Sequence, residues 1–502
     1  MTTLAGLDVS SIFAWAVPAV LAAGAAIQRP HTSRIAGLAG LLALGAAGFA
    51  ATAGSGAAFW HARLDLVGCV MLLLVCGLGW VTARYSRNYL DGDPRHARYS
   101  RWLLATLSAV TALVVSNDLG IIVVAWTATG LALHQLLTLY PERTAALVAA
   151  HKKFIVSRLA DACLWVSLGL VYRDVGSSNL DRIALWAQAH PALSPGMHAA
   201  AALLVVAVAL KSAQLPFHGW LMQVMEAPTP VSALLHAGVV NIGGFVMLRL
   251  AGWLTQAEPA RYLLLAVGLT TAFIASLVVT TRVSAKVGLA WSTCAQMGFM
   301  LMQCALGLWH LALLHLAAHS LYKAHAFLSA GAAVEQWRVR TLVSHVAPPP
   351  KHVAAAAALA ASGLGGALWL AGAPASLTVF AVLAALAAAP LLARVNLASR
   401  GIAVIAAYVV LHLAAARALP AGATPHPVAL ALVGLGFAAL FSLKTSLALR
   451  PEGRLARALY PRLFAGLHLD ELFTRLTFRV WPPRLPARQT PAPLSTPKPA
   501  EA

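Results

Sequence analysis

Two lysines lie deep inside long apolar segments of this sequence, where a charged side chain is energetically unfavourable. Lys211 stands in Ala-Leu-Lys-Ser-Ala-Gln-Leu-Pro-Phe-His-Gly-Trp, and Lys323 ends the run His-Leu-Ala-Ala-His-Ser-Leu-Tyr-Lys. An ammonium group in the hydrocarbon region of a membrane is costly, so intramembrane lysines usually mark ion pathways or proton relays. A permanently paired structural lysine is the alternative. We favour function, because an apolar residue would span the membrane at lower cost.

The residues after Lys211 predict a broken helix. Pro216 and Gly219 should interrupt it near mid-membrane, a device that recurs in ion carriers. A nearby carboxylate favours the charged form of a buried lysine, so movement of such a pair releases or captures a proton. Asp161 is the candidate partner, although an i,i+3 pair with Arg158 explains it equally well.

A second set of titratable residues follows a helical spacing. His315, His319 and Lys323 lie at i, i+4 and i+8, which places them on one stripe of a helix. His-x-x-x-His could bind zinc, but Leu316 replaces the glutamate of the catalytic motif and no third ligand is evident. We therefore interpret the stripe as a proton wire. His236, in the apolar run after Pro230, is either a packing residue or a further proton relay.

The amino-acid composition indicates that these residues belong to a membrane protein. Of 502 residues, 60% are hydrophobic and 10% are charged, which excludes a soluble fold and leaves room for about 15 spans. The sequence thus predicts an all-α, polytopic membrane protein. Its fifteen predicted spans are Val9–Ile27, Ile35–Ala58, Leu64–Ala83, Trp102–Ser116, Leu119–Tyr140, Phe154–Tyr172, Ala199–Leu221, Val231–Leu248, Tyr262–Thr281, Val287–Gly307, Trp309–Val334, Val353–Leu370, Ser376–Leu392, Ile402–Ala416 and Val428–Phe441.

The net charge of +20 does not indicate nucleic-acid binding, because aromatic residues are not interleaved with the basic ones. In a membrane protein such an excess of basic residues instead marks the cytoplasmic loops and predicts the orientation of the chain in the membrane. Loops after odd-numbered spans carry 18 Lys and Arg, and loops after even-numbered spans carry 6. Lys152 and Lys153 are counted among the loop residues. The bias places the N-terminus outside and the C-terminus in the cytoplasm. Only Lys211 and Lys323 are then left within the membrane.

Several of these segments resemble the antiporter-like membrane subunits of respiratory complex I and their Mrp relatives. The matching stretches are Lys211–Gly244, Thr281–Met300 and His315–Val334. The resemblance implies two inverted five-helix repeats with broken helices. It also implies an ion pathway formed by Lys211, Asp161, His236, His315, His319 and Lys323.

On this basis we divide the chain into five regions. An N-terminal three-helix region covers 1–101, and the first repeat covers 102–251. A second, degenerate repeat covers 252–400, followed by C-terminal helices in 401–449 and a cytoplasmic tail in 450–502.

The chain departs from the respiratory pattern. Thr127 follows Trp126 where the family usually has a glutamate, and 353–392 contains no ionisable residue. Only a short tail follows Phe441, so we expect no long lateral helix. These departures count against a respiratory proton pump or a sodium/proton antiporter subunit.

The run 217–230 and the tail around Asp470 resemble the membrane subunits (DabB) of two-component DAB inorganic-carbon transporters. The resemblance implies a bacterial inner-membrane protein that couples cation flux, with protons as the expected ion, to CO2 hydration and bicarbonate accumulation. The expected partner is a cytoplasmic, zinc-containing subunit similar to carbonic anhydrase (DabA-like). We expect this chain to be a transport subunit rather than an enzyme, with no cofactor or metal of its own. The alternatives are a proton-pumping subunit of a complex I-type or Mrp complex, and a non-conducting scaffold.

Overall fold

The computed structural model describes residues 3–4, 7–27, 31–52, 61–224, 227–332, 349–394, 397–418 and 424–482. Glu226 and the expected end of the eleventh span at Val334 lie outside these ranges. Within them the chain is almost entirely α-helical, as predicted. The sheet found there is a hairpin of Thr3–Leu4 (β1) and Leu7–Asp8 (β2).

The helices follow one another through short connections. The first half contains α1 Val9–Ile27, α2 Thr32–Thr52, α3 Leu66–Tyr89, α4 His96–Val115, α5 Leu119–Leu137, α6 Thr144–Val175, α7 Leu180–Ala189, α8 Pro195–Lys211, α9 Gly219–Gln223, α10 Thr229–Ala237, α11 Ile242–Arg249 and α12 Ala251–Leu254. The second half contains α13 Glu258–Val278, α14 Ala285–Ala305, α15 Trp309–Leu328, α16 Pro350–Leu370, α17 Ala375–Leu392, α18 Ala398–Ala418, α19 Pro427–Leu449, α20 Arg454–Phe464 and α21 Glu471–Val480.

The number and length of the apolar helices define a multi-pass membrane protein. Among the described residues, eleven helical segments are long and apolar enough to cross a membrane. The four other predicted spans fall on α4, α8, α14 and α15. Helix α8 has 17 residues, and polar side chains lower the hydropathy of the other three. Fifteen spans therefore remains a prediction.

Helix α6 begins ten residues before the predicted start at Phe154. Lys152 and Lys153 consequently lie inside the helix and are buried, so counting them as loop residues was wrong. Lys152 and Lys153 were therefore left out when the sequence was searched for basic residues inside the helices. Charges predict helix ends poorly here, because long lysine side chains can reach acceptors from within a helix.

Two interruptions in neighbouring helices shape the middle of the bundle. Helix α8 ends at Lys211 and the chain resumes helical geometry at Gly219, which confirms the predicted break. The segment predicted as one helix from Val231 to Leu248 is also divided, because a 3-10 turn at Val239–Asn241 separates α10 from α11. In contrast, α16 and α17 are continuous, so the second broken helix implied by the resemblance is not seen in 350–392. That range has no ionisable side chain beyond its first three residues to pair with a broken backbone.

Helices α13 and α14 approach each other closely at two glycines. A Cβ atom added to Gly268 would lie 2.7 Å from the carbonyl oxygen of Gly298, and the reverse distance is also 2.7 Å. Small residues allow this contact, which is a common basis of helix packing in membranes. On another side, α14 packs against α15, the helix that carries the histidine stripe.

A buried arginine connects α11 to α3 at one end of the bundle. The Arg249 Nη1 atom lies 2.8 Å from Asp65 Oδ1, and Nη2 donates to the carbonyls of Arg63 and Val114 at 2.9 and 3.1 Å. Asp65 also caps α3 by accepting from the backbone N–H of Gly68. This network fixes the end of the interrupted α10–α11 segment.

We expect Arg249→Met to lower the free energy of unfolding by about 2 kcal/mol, because the carbonyls of Arg63 and Val114 lose this donor and Asp65 loses one of its two arginine partners. Thermal unfolding of the purified protein in detergent measures the effect as a lower Tm. Arg182→Met is the matched control, because Arg182 is exposed in α7. Equal Tm values for the two variants would show that the Arg249 network does not support the fold.

Candidate ion pathway

Lys211 forms a buried ion pair with Asp161. The Lys211 Nζ atom at the end of α8 lies 2.6 Å from Asp161 Oδ1 on α6, and the two side chains are 5% and 7% exposed. The break after Lys211 places its ammonium group at the helix C-terminus, where the helix dipole favours a positive charge. The predicted partnership between these residues therefore appears in the structure as a direct contact.

Asp161 is shared between two cations. Its Oδ2 atom lies 2.6 Å from Arg158 Nη2, so the two interpretations left open by the sequence both describe this carboxylate. The ring centre of Trp126 lies 5.0 Å from Lys211 Nζ, within the range of a cation–π contact. Lys211 thus contacts one carboxylate and one aromatic ring, and the guanidinium of Arg158 binds the same carboxylate.

Lys153 extends this cluster and was missed as a site residue. Its Nζ atom donates to the backbone carbonyl of Gly130 at 2.6 Å. A Cβ atom added to Gly130 would lie 3.2 Å from Arg158 Nη2, so both cations converge on this glycine. Lys153, Ser157 and Asp161 have the same i, i+4, i+8 spacing as the histidine stripe. Applying that spacing to α6 would have identified Lys153.

The second cluster is built on α14 and α15. The Lys323 Nζ atom donates to the carbonyl of Leu289 at 2.8 Å and also contacts the Ser292 hydroxyl. His315 lies with Nδ1 3.2 Å from Gln303 Oε1, and the ring centres of His315 and His319 are 6.0 Å apart. Lys323 is 1% exposed and has no carboxylate within ion-pair distance among the described residues.

His236 and His319 add unbonded ring nitrogens to this cluster. Neither nitrogen of either ring has a hydrogen-bond partner within the described part of the chain. His236 stacks on Phe327 of α15 at 4.4 Å, and His319 lies one turn before Lys323 on the same helix. Buried polar groups without partners are rare and are found at proton-transfer and hydrated sites. His236 therefore packs against the helix that carries the stripe of His315, His319 and Lys323.

Polar contacts between the two helix breaks connect the clusters. Ser212, directly after Lys211, donates through Oγ to the Val240 carbonyl at 3.2 Å. The next residue, Asn241, donates through Nδ2 to Ser320 Oγ at 2.6 Å, next to His319. These contacts run from the end of α8 through the α10–α11 turn to α15.

Two further polar residues near the clusters, Asp118 and Thr127, have different surroundings. Asp118 caps α5 by accepting from the Ile121 N–H, so it is a helix-end residue. Thr127 Oγ1 is buried and has no hydrogen-bond partner among the described residues, at the position where the respiratory relatives were expected to carry a carboxylate. In the described ranges, no three His, Cys, Asp or Glu side chains are placed to hold a metal ion.

The family comparison agrees with this architecture. Residues 116–393 match the family described as NADH:quinone oxidoreductase/Mrp antiporter, TM. Residues 51–100 match the N-terminus of complex I chain 5. The fold and its charged interior thus define an antiporter-like membrane subunit.

Curated relatives specify the branch. The chain is 40% identical over 447 residues to the probable inorganic carbon transporter subunit DabB of Hydrogenovibrio crunogenus, covering 86% of this chain and 85% of the relative. DabB2 of Halothiobacillus neapolitanus is 40% identical over 443 residues, with 83% and 80% covered. Subunit L of the NADH-quinone oxidoreductase of Escherichia coli is 31% identical, with 54% and 44% covered. The chain therefore belongs to the DabB inorganic carbon transporter subunits.

Solved structures share the fold. The chain resembles a subunit of the Mrp complex from Dietzia sp. with a TM-score of 0.57 and 24% identity, covering 92% of this chain and 54% of that one. A subunit of the archaeal membrane-bound sulfane sulfur reductase gives a TM-score of 0.58 at 17% identity, with 93% and 99% covered.

We expect Asp161→Asn to destabilise the protein more than Lys211→Met. The first variant removes the negative charge that both Lys211 and Arg158 share, whereas the second leaves Asp161 paired with Arg158. The loss for Asp161→Asn should be about 3 kcal/mol, and the double variant should recover part of it, because an unpaired buried charge costs more than a missing pair. Unfolding of the single and double variants in detergent measures the coupling. Strictly additive losses would contradict a direct interaction.

Proposed function

We propose that this chain conducts protons across the membrane as one subunit of a two-component inorganic-carbon transporter. The observation that carries the proposal is the buried Lys211–Asp161 pair at the end of the broken helix α8. A permanent structural role would not need the lysine at a helix break, next to a second cation that competes for the same carboxylate. The relatives named as inorganic carbon transporter subunits support the transported process.

The shared carboxylate provides a chemical step for proton exchange. When Asp161 pairs with both Lys211 and Arg158, both cations are stabilised. A shift of the carboxylate toward Arg158 leaves the ammonium of Lys211 without its counter-charge in a low-dielectric interior, which favours release of its proton. The return of Asp161 favours recapture. The net chemistry is transfer of one proton on and off Lys211 Nζ.

The second cluster offers the next proton carriers. The unbonded nitrogens of His236 and His319 can accept and donate protons, and Lys323 lies beside them. The contacts of Ser212 and Asn241 link this cluster to Lys211 through the two helix breaks. In this proposal protons enter from outside, exchange at Lys211, pass along the stripe of His315, His319 and Lys323, and leave toward the cytoplasm.

The energy available is sufficient for carbon accumulation. One unit charge that crosses 100 mV contributes about 2.3 kcal/mol, which corresponds to roughly a 50-fold concentration ratio. We propose that this energy makes CO2 hydration effectively one-way in a cytoplasmic, DabA-like, zinc-containing partner. Hydration would then take place on the partner, with this chain supplying the ion flux in the inner membrane.

We expect Lys211→Ala to abolish growth that depends on inorganic-carbon uptake while the complex still assembles. Proton flux in vesicles that contain the purified complex should fall to the level of protein-free vesicles. Lys351→Ala is the matched control, because Lys351 is exposed in the first turn of α16. Wild-type uptake by the Lys211→Ala variant would contradict the mechanism.

Purification of the native complex separates this proposal from the alternatives. One soluble zinc-containing partner supports carbon transport, whereas co-purifying quinone-reducing subunits would support a respiratory role and contradict the proposal. Absence of ion flux from vesicles that contain the intact complex would indicate a scaffold instead.

A further inference from the structure

The helices after α19 fold back onto the interrupted helices. Trp481 stacks on the His151 ring of α6 at 4.0 Å, and its carbonyl oxygen lies 3.2 Å from His151 Nδ1. Phe473 of α21 contacts Phe217 edge-on at 5.7 Å, within the break between α8 and α9. The segment 470–481 therefore touches both α6 and the broken helix, the two elements that hold the Asp161–Lys211 pair.

Asp470 forms the charged contact of this segment. Its Oδ2 atom lies 2.6 Å from Lys152 Nζ, and the Lys152 side chain is fully buried while Asp470 is 26% exposed. The same oxygen accepts from Gln223 Nε2 of α9 at 3.4 Å. The carboxylate also lies directly against Gly219, where any side chain would collide with it. Asp470 is thus held between α6 and the first residue of α9.

The contact begins at the helix residue next to the ion cluster. Lys152 and Lys153 are consecutive on α6, but their ammonium groups bind different partners, Asp470 and the Gly130 carbonyl. Arg158 also lies at Gly130 and shares Asp161 with Lys211. We call the charged groups from Asp470 to Lys211 the charged row. They are connected through the backbone of α6 at Lys152 and Lys153, and Asp470 supplies the carboxylate at the outer end.

We propose that Asp470 is a positioning residue for ion conduction, and that its ion pair with Lys152 keeps this end of the charged row closed to water. The proposal rests on the proton flux proposed above. Without the charge of Asp470, the buried Lys152 ammonium has lost this counter-charge at a position where the Asp470 side chain is 26% exposed, so water that reaches residue 470 hydrates the ammonium. Hydration next to Lys153 opens the row toward solvent, so protons leak without carbon transport.

The test uses Asp470→Asn, which keeps the shape of the side chain and removes its charge. In vesicles that contain the full-length chain with its native partner, proton leak should rise roughly tenfold, equivalent to about 1.4 kcal/mol of lost closing energy. Glu471→Gln is the matched control, because this neighbour is exposed and contacts His468 and Arg475. It should leave the leak unchanged.

Two further variants distinguish gating from damage to the fold. Lys152→Met combined with Asp470→Asn removes both charges and should return the leak to the wild-type level. Adding Lys211→Ala to Asp470→Asn should abolish the leak, because the protons are expected to pass Lys211. A wild-type leak in the Asp470→Asn variant, or a leak that persists in either combination, overturns the role of Asp470.

The same measurements keep the two proposals separate. If Lys211→Ala lowers proton flux while Asp470→Asn changes nothing, the conduction proposal stands and the role of Asp470 is rejected. If Lys211→Ala alone leaves the flux of the wild-type complex unchanged, the conduction proposal itself fails.

Discussion

The architecture depends on keeping several cations inside an apolar bundle with very few carboxylates to balance them. Asp161 serves Lys211 and Arg158 together, while Lys153 relies on a backbone carbonyl. Low dielectric makes each of these contacts strong and makes each missing partner costly. The helices around the cluster must therefore be placed closely enough to satisfy three basic groups with one acid.

Helix breaks provide this placement. In a continuous α8 every backbone group near Lys211 would be hydrogen-bonded within the helix, and Lys211 would lie in the middle of an apolar helix. Ending the helix at Lys211 turns the ammonium toward α6, and the turn at 239–241 brings Asn241 to Ser320 on α15. Backbone irregularity is tolerated at membrane depth only where the protein itself satisfies the polar groups. The two neighbouring breaks satisfy part of that need through Ser212 and the Val240 carbonyl.

The two halves of the matched family region differ in this respect. In the first half, a broken helix, a shared carboxylate and several cations converge. In 350–392 the helices are continuous and small apolar residues fill them. Charged side chains are thus concentrated between α5 and α15, and the segment 470–481 contacts that part of the bundle at Lys152 and Phe217.

Local patterns in the sequence determined the membrane class, the all-α fold, the break after Lys211 and the stripe of His315, His319 and Lys323, because hydropathy, proline and helical spacing act over a few residues. The tertiary structure decided which residues form ion pairs and which lysines are buried, because these depend on contacts between distant parts of the chain. Whether Asp161 pairs with Arg158 or Lys211 depends on how α6 faces α8, and the burial of Lys152 depends on Asp470, more than 300 residues away. Ion pairs form between whatever the fold brings within a few ångströms, so their partners follow from packing rather than from spacing along the chain.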